Sequence, residues 1–442
     1  MSNLKLSETK KKLVSNLIWA VGGKTINLAG TLILGIIVAR YLGPKQYGLM
    51  NYVISYVFLF QTLASFGLDN IEIREEAKAK TPRNVIIGTA FYLKLTFGIV
   101  CVALSILTAL LLSEDPYTIT LIAIYASYIV FNSFVVIRNY FTSIIQNKYI
   151  VISEIFRTFA GIAIKLILLF ADCSLTWFVA AFAFDWALLA GGYISAYHTK
   201  VGRLKDWTFS MPYARYMLRE SLPLLITNAA VIIYQRIDQF MIGQLLTDKA
   251  NVGYFSVAAK FVEVMIFIPA TLATTISPIL VNLKRTDESL YRIKSQYFMN
   301  ISLWISILSS CAVSIIAYYL ILFTFGKMYL PAVAILQVLS FKMAATALSN
   351  TAGTMLIVEG LQKYVFYRDI LGCIVCVALN YLLLPRFGVI ASAFVAIAAN
   401  IMAGYIADAL IPTYRHLFRQ QTKALLLGWR DLIHIKQLLK PQ

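Results

Sequence analysis

"ARYLGPKQYGLMNYVISYVF", residues 39–58, finds a second copy in "GQLLTDKANVGYFSVAAKFVE", residues 243–263, once one residue is inserted in the second loop. Leu42 then aligns with Leu246, Lys45 with Lys249 and, beyond the insertion, Gly48 with Gly253. In each copy an apolar run meets a turn made of Gly, Pro, Lys, Asp or Asn and a second apolar run follows, the pattern of two long helices joined by a tight turn. Internal similarity in corresponding places of two halves predicts two structurally related bundles.

The medium is set by composition. Of 442 residues, 60% are hydrophobic and 14% charged, with a mean hydropathy of +0.74. Apolar runs of about 20 residues, each long enough to cross a hydrocarbon layer of roughly 30 Å, recur along the chain. They predict helices near 16–40, 46–71, 84–112, 117–145, 150–171, 176–198, 220–246, 252–283, 293–324, 331–357, 363–384 and 389–412. The expectation is an all-α polytopic membrane protein of twelve transmembrane helices in two pseudo-symmetric six-helix bundles. The bundles cover 1–198 and 220–412, with a basic cytoplasmic linker at 199–219 and a basic amphipathic tail at 413–442. The first apolar segment lacks a small-residue cleavage site and is read as retained.

Orientation follows from charge. Two-thirds of the 39 Lys and Arg fall in one alternating set of breaks, including "KLSETKKK", "REEAKAKTPR" and "NLKRTDESLYRIK". The other set ("LGPKQYG", "SEDPY", "ADCSLT", "LTDKANVG", "FGKMYLP", "LPRFGV") is poor in them. Positive-inside bias places the basic set and both termini in the cytoplasm. The net charge of +18 is thereby explained by topology and by attraction to anionic inner-leaflet lipids, which argues against nucleic acid as a partner. The tail reads as a basic amphipathic helix on that leaflet. Five cysteines, odd in number and mostly within spans, imply no disulfide framework, and "CIVC" at 373–376 reads as packing. With His198, His416 and His434 all on the cytoplasmic side, no metal site is expected within the membrane, and no cofactor is implied.

Basic residues remain inside spans: Lys24, Lys94, Arg138, Arg157, Lys165, Arg236, Lys260 and Lys342. An ionised side chain at a helix centre costs roughly 2.5 to 3.5 kcal/mol on insertion scales, so each needs a partner or a wet path. Arg138, Glu154 and Arg157 lie near the cytoplasmic face, where Glu154 and Arg157 form an i, i+3 pair, and Lys165 is close enough to the outer face to snorkel. Lys94, Asp185 and Asp408 have no partner at helical spacing, while Lys260 and Glu263 are placed to neutralise each other.

Polar residues form stripes. At 100° per residue, Asn51, Ser55, Thr62, Ser65 and Asp69 share a face over about 27 Å. Ser256, Lys260, Glu263 and Thr274 repeat the pattern, Lys24, Asn27 and Thr31 share another face, and Asn228, Gln235 and Gln239 a fourth, flanked by Arg236 and Asp238. All four stripes lie on repeat-bearing helices and predict a wet, positively biased cavity. Its expected cations are Lys24, Arg236, Lys260 and Lys342. Its expected polar and acidic members are Asn27, Asn51, Ser55, Asp69, Asn228, Gln235, Asp238 and Glu263.

"VARYLGPKQYGLMNYV", "SFGLDNIEIREEA" and "RIDQFMIGQLLTDKANVGYFSVAAKFVE" resemble the polysaccharide-unit (O-antigen, Wzx-type) flippases of the multidrug/oligosaccharidyl-lipid/polysaccharide exporter (MOP) superfamily, and the resemblance extends along essentially the whole chain. It implies a MATE-like V of two bundles in a bacterial inner membrane. The implied activity is movement of undecaprenyl-pyrophosphate-linked oligosaccharide from the cytoplasmic to the periplasmic leaflet by alternating access. Lys24, Arg236 and Lys260 stand where the family carries cavity cations. A coupling ion, H+ or Na+, stays open, as does a polysaccharide polymerase as neighbour. A multidrug/cation antiporter of the same superfamily is the competing reading, opposed by the positive bias. A membrane enzyme acting on lipid-linked sugars is a third, opposed by outer breaks of only a few residues.

Overall fold

The structure, a computed structural model, describes residues 2–434. Within that range side chains are described except at 2–21, 23, 24, 26, 226–228, 231–235, 433 and 434, so the side chains of Lys24, Asn228 and Gln235 lie outside the described residues.

Among the described residues there is no strand, and nine helical segments are long and apolar enough to cross a membrane. The helices are α1 Ser2–Ser65, α2 Leu68–Lys78, α3 Arg83–Leu111, α4 Pro116–Ala126, α5 Tyr128–Asn132, α6 Val135–Ser143, α7 Asn147–Phe170, α8 Leu175–Lys200 and α9 Met211–Leu245. They continue with α10 Ala250–Thr286, α11 Glu288–Thr324, α12 Ala332–Leu339, α13 Lys342–Val358, α14 Val365–Phe387, α15 Val389–Ile401, α16 Ala407–Leu410 and α17 Arg415–Leu427. Two compact units result: residues 1–42 with 49–229, and residues 43–48 with 230–442.

In the N-terminal part of the chain the helices break where a left-handed backbone interrupts the helical ladder. The long α1 kinks at Gly43, at φ +70°, immediately before Pro44, whose missing N–H cannot continue the ladder. A second break follows at Phe66 and Gly67, both with positive φ, and α2 starts afresh at Leu68. The stripe predicted to run on to Asp69 therefore stops at Ser65. The core gathers Ile87, Ile137, Tyr197 and Met217 around Trp207. Trp207 belongs to the predicted linker, yet it is 7% exposed and meets Phe91 at a tilt and Tyr197 edge-on, while the Thr208 N–H donates to the Asn84 carbonyl at 3.1 Å. Helix α9 begins at Met211, nine residues before the apolar run, because helical propensity carries through the basic sequence.

Inside lipid, apolar surface gains little by moving from tails to a neighbouring helix, so packing and interhelical hydrogen bonds hold the bundles. In the second unit α15 passes into a π-helical turn, Met402–Ile406, and then into α16. The wider turn leaves carbonyls to be satisfied from elsewhere: Arg368 Nε donates to Ala403 O at 2.9 Å and Gln421 Nε2 to Gly404 O at 2.6 Å. Gln421 belongs to α17, the predicted surface tail. The protein itself covers the apolar side of that helix: Leu417 and Ala424 are fully buried, and Trp304 Nε1 donates to the Ala424 carbonyl at 2.9 Å. Leu426 and Trp429 remain exposed, and residues 435–442 lie outside the described residues.

Candidate functional site

Arg236 and Asp238, about 200° apart on α9, point to different neighbours. Arg236 Nη1 meets Glu263 Oε1 of α10 at 2.8 Å, with both side chains more than a third exposed. Glu263 was expected to neutralise Lys260, its neighbour one turn away. The pairing instead crosses between helices, and Lys260 contributes only its field. Asp238, 1% exposed, faces α14: its Oδ1 accepts from Asn380 Nδ2 at 2.8 Å and from the Cys376 thiol at 3.5 Å. Asn380 Oδ1 accepts in turn from Ser392 Oγ at 2.6 Å. Asp238 Oδ2 has no hydrogen-bond partner among the described residues, and the charge acting on this carboxylate is that of Lys342.

A cavity of about 210 Å³ collects these groups within the second unit. Arg236, Asp238, Glu263 and Lys342 of the predicted residues line it, together with Gln239, Thr346 and Asn400. Lys260 does not line it. Two cations thus face two carboxylates, and the cavity carries its own counter-ions. Thr346 and Asn400 carry no sequence signal, because single polar residues in otherwise apolar helices form no stripe.

The first unit disposes of its intramembrane charges by pairing. Lys94 Nζ lies 2.6 Å from both Asp69 Oδ1 and Glu72 Oε1, and Asn139 Nδ2 donates to Asp69 at 2.9 Å and Glu72 at 2.6 Å. Asp69, half-exposed, therefore serves an ion cluster whose Lys94, Glu72 and Asn139 are buried. Glu72 falls one residue past the predicted span 46–71 and outside its polar stripe, although Asp69 and Glu72 at i, i+3 share one helix face. Lys165 does not snorkel: it is 1% exposed, 2.7 Å from Asp185 Oδ2 and over the Phe182 ring. Glu154 approaches Arg138 at 4.0 Å, and Arg157 donates to Asn27 Oδ1 at 3.1 Å, in place of the expected Glu154–Arg157 pair. Asn51 and Ser55 are buried at 8% and 2% exposure. Asp408 finds Arg368 in the second unit, at 3.4 Å.

Chemically, the pairs divide by accessibility. Lys94 with Glu72, Lys165 with Asp185, and Arg368 with Asp408 are sealed by burial. Arg236 and Glu263 meet in an open cavity, where a competing anion can take the guanidinium in a bidentate pair. Among the described residues no cluster of three or more His, Cys, Asp or Glu is arranged to hold a metal.

A family model described as polysaccharide biosynthesis protein matches residues 13–284. No curated protein matches the chain. Among solved structures, the lipid II flippase MurJ in an inward closed conformation aligns over 95% of this chain and 93% of its own, at 14% identity and a TM-score of 0.71. An inward-facing multidrug resistance MATE family transporter of the MOP superfamily aligns over 93% and 96%, at 14% identity and 0.67. A MOP superfamily transporter from Pyrococcus furiosus, described as having a binding pocket of reverse polarity, aligns over 98% and 97%, at 16% identity and 0.62. At such identities the likeness establishes a shared fold.

Proposed function

The chain belongs to the polysaccharide biosynthesis protein family, and from that premise we propose that it is a flippase carrying oligosaccharide linked to undecaprenyl pyrophosphate from the cytoplasmic to the periplasmic leaflet. It works by alternating access in a bacterial inner membrane, as two six-helix bundles with twelve spans and both termini cytoplasmic. The observation that carries this reading is the Arg236–Glu263 pair, open to a cavity that Lys342 also lines.

In this mechanism the empty cavity is neutralised by its own carboxylates, which lowers the cost of holding cations at membrane depth. The pyrophosphate displaces Glu263 from Arg236 and takes further charge from Lys342, with Lys260 adding its field nearby. Asp238, held by Asn380 and Cys376, braces α9 against α14 while this exchange occurs. Moving each negative headgroup charge outward, away from the negative interior at a potential of 100 mV, releases roughly 2.3 kcal/mol, so the field can drive export.

In proteoliposomes, outward flipping of a polyprenyl-pyrophosphate-linked sugar should slow when the membrane potential is collapsed, and a pH gradient alone should change it little. Export of a cationic dye in place of the sugar lipid, coupled to a proton or sodium gradient, would establish the antiporter reading, which the two cavity carboxylates favour.

A further inference from the structure

On the surface of the first unit, α7 and α8 enclose a groove of about 580 Å³ lined by Phe156, Phe184, Gly191, Ser195 and Tyr149, among others. The helices close tightly beside it. A Cβ on Gly192 would stand 2.9 Å from the Ser153 Cβ, and one on Gly161 would stand 2.4 Å from Asp185 Oδ1. Gly191 differs from both, because a Cβ there meets nothing within 4 Å. Glycine weakens a helix relative to alanine, and at 191 neither close packing nor a positive φ accounts for it. Its effect is to deepen a groove whose volume lies in the range of ligand cavities, about 300–1,000 Å³.

One end of the groove is cationic. Tyr149 lines that end, and the Lys200 ammonium lies 5.8 Å from the centre of its ring. Lys148 is the next residue in the chain, exposed at the start of α7, and His198 is exposed near the end of α8. The carboxylates of this region are engaged: Glu154 with Arg138 and the Tyr193 hydroxyl, and Asp206 with the Arg203 N–H.

We propose that this groove binds an anionic phospholipid of the basic-side leaflet, one acyl chain lying over Gly191 between Phe156 and Phe184 and the phosphate meeting Lys148 and Lys200. An apolar trough alone would accept any lipid; the lysines at its mouth confer selectivity for a negative headgroup. The inference rests on the membrane reading and is independent of the proposed cargo, since lipid binding is measured without flipping.

The test is native mass spectrometry of the full chain in detergent, titrated with dioleoyl phosphatidylglycerol or dioleoyl phosphatidylcholine. Saturable, preferential retention of phosphatidylglycerol is expected. Lys148→Gln with Lys200→Gln should weaken it by about fivefold per lysine while leaving phosphatidylcholine unchanged, the size of effect a basic residue has near an anionic surface. Gly191→Trp should remove retention of both lipids at that site, and Gly191→Leu should reduce it without unfolding the protein. Equal retention of the two lipids, or retention indifferent to both Gly191 variants, would overturn the proposal. Tighter binding of undecaprenyl phosphate with displacement of phosphatidylglycerol would also overturn it, assigning the groove to a polyprenyl chain.

Discussion

Gly48 and Gly253, the pair aligned by the internal repeat, pack against each other's turns reciprocally. A Cβ on Gly48 would lie 1.9 Å from the Lys249 carbonyl oxygen, and one on Gly253 would lie 2.3 Å from the Pro44 carbonyl oxygen. The obstacle is backbone in both cases and cannot rotate away. Tyr47 and Tyr254, each beside one of these glycines, both meet the Tyr329 ring edge-on with centroids 6.3 Å apart.

Gly48→Ala and Gly253→Ala should each destabilise the protein by about 1–3 kcal/mol or more, the cost of overpacking a closed contact. Thermal unfolding in detergent reads this directly. A double variant no less stable than either single one would show that one shifted backbone relieves both clashes.

Arg236→Ala should abolish surface-polysaccharide complementation while shifting stability by less than about 1 kcal/mol, since the Arg236–Glu263 pair is partly exposed and such pairs contribute little. Arg236→Lys should retain part of the activity, keeping charge and losing the planar fork. Asp238→Asn should be milder than Arg236→Ala. Full complementation by Arg236→Ala at normal membrane level would remove the basis for an anionic cargo.

Lys94→Met should be far more damaging to folding than Arg236→Ala. It strands Glu72, 2% exposed, beside Asp69 with no cation between them, and breaking a buried pair from one side costs about 3–5 kcal/mol. Membrane yield and thermal unfolding check this, and recovery by Lys94→Met with Glu72→Gln would tie the loss to the uncompensated carboxylate.

The docked tail should respond to pH through His416 and Glu359, whose Nε2 and Oε2 are 2.7 Å apart. The hydrogen bond to Glu359 raises the imidazole above its ordinary value of 6.5. Burial raises the Glu359 carboxyl, but hydrogen bonds from His416 and Tyr291 outweigh it and hold the group below its ordinary 4.5. The histidine stabilises fully below 6.5 and loses its contribution as pH rises through its elevated folded value. The carboxylate stabilises above 4.5 and fails as pH falls through its depressed one. Tryptic cleavage at Arg419, divided at each pH by the rate on an unstructured peptide, should therefore be slowest between about pH 4.5 and 6.5 and quicken on the alkaline side, and His416→Gln should flatten that rise.

The all-helical, apolar build, the Gly43–Pro44 turn and the paired glycines of the repeat were legible because each is a local pattern: apolar length, turn residues, a recurring Gly in register. The Arg236–Asp238 divergence was legible from helical geometry alone. Partnerships between helices were not. Nothing at i, i+3 or i, i+4 joins Lys94 to Glu72, Lys165 to Asp185 or Arg368 to Asp408, so Lys94, Asp185 and Asp408 read as charges without partners, and Lys165 as one free to snorkel, until the fold brought each partner from another helix. The tail misled for a related reason, since an amphipathic face suits a lipid surface and a protein groove equally.

The π-helical turn at Met402–Ile406 separates two commitments of one helix. Asn400, before it, lines the charged cavity, and Asp408, after it, meets Arg368 beneath the docked tail. In an uninterrupted α-helix those two side chains would be locked in phase, and turning one toward its partner would turn the other by the same angle. The extra residue works as a phase adapter, letting cavity and anchor be tuned independently by substitution. A single-residue deletion there would couple them again, rotating one side by about 100° and forcing the helix to forfeit either the cavity wall or the anchor.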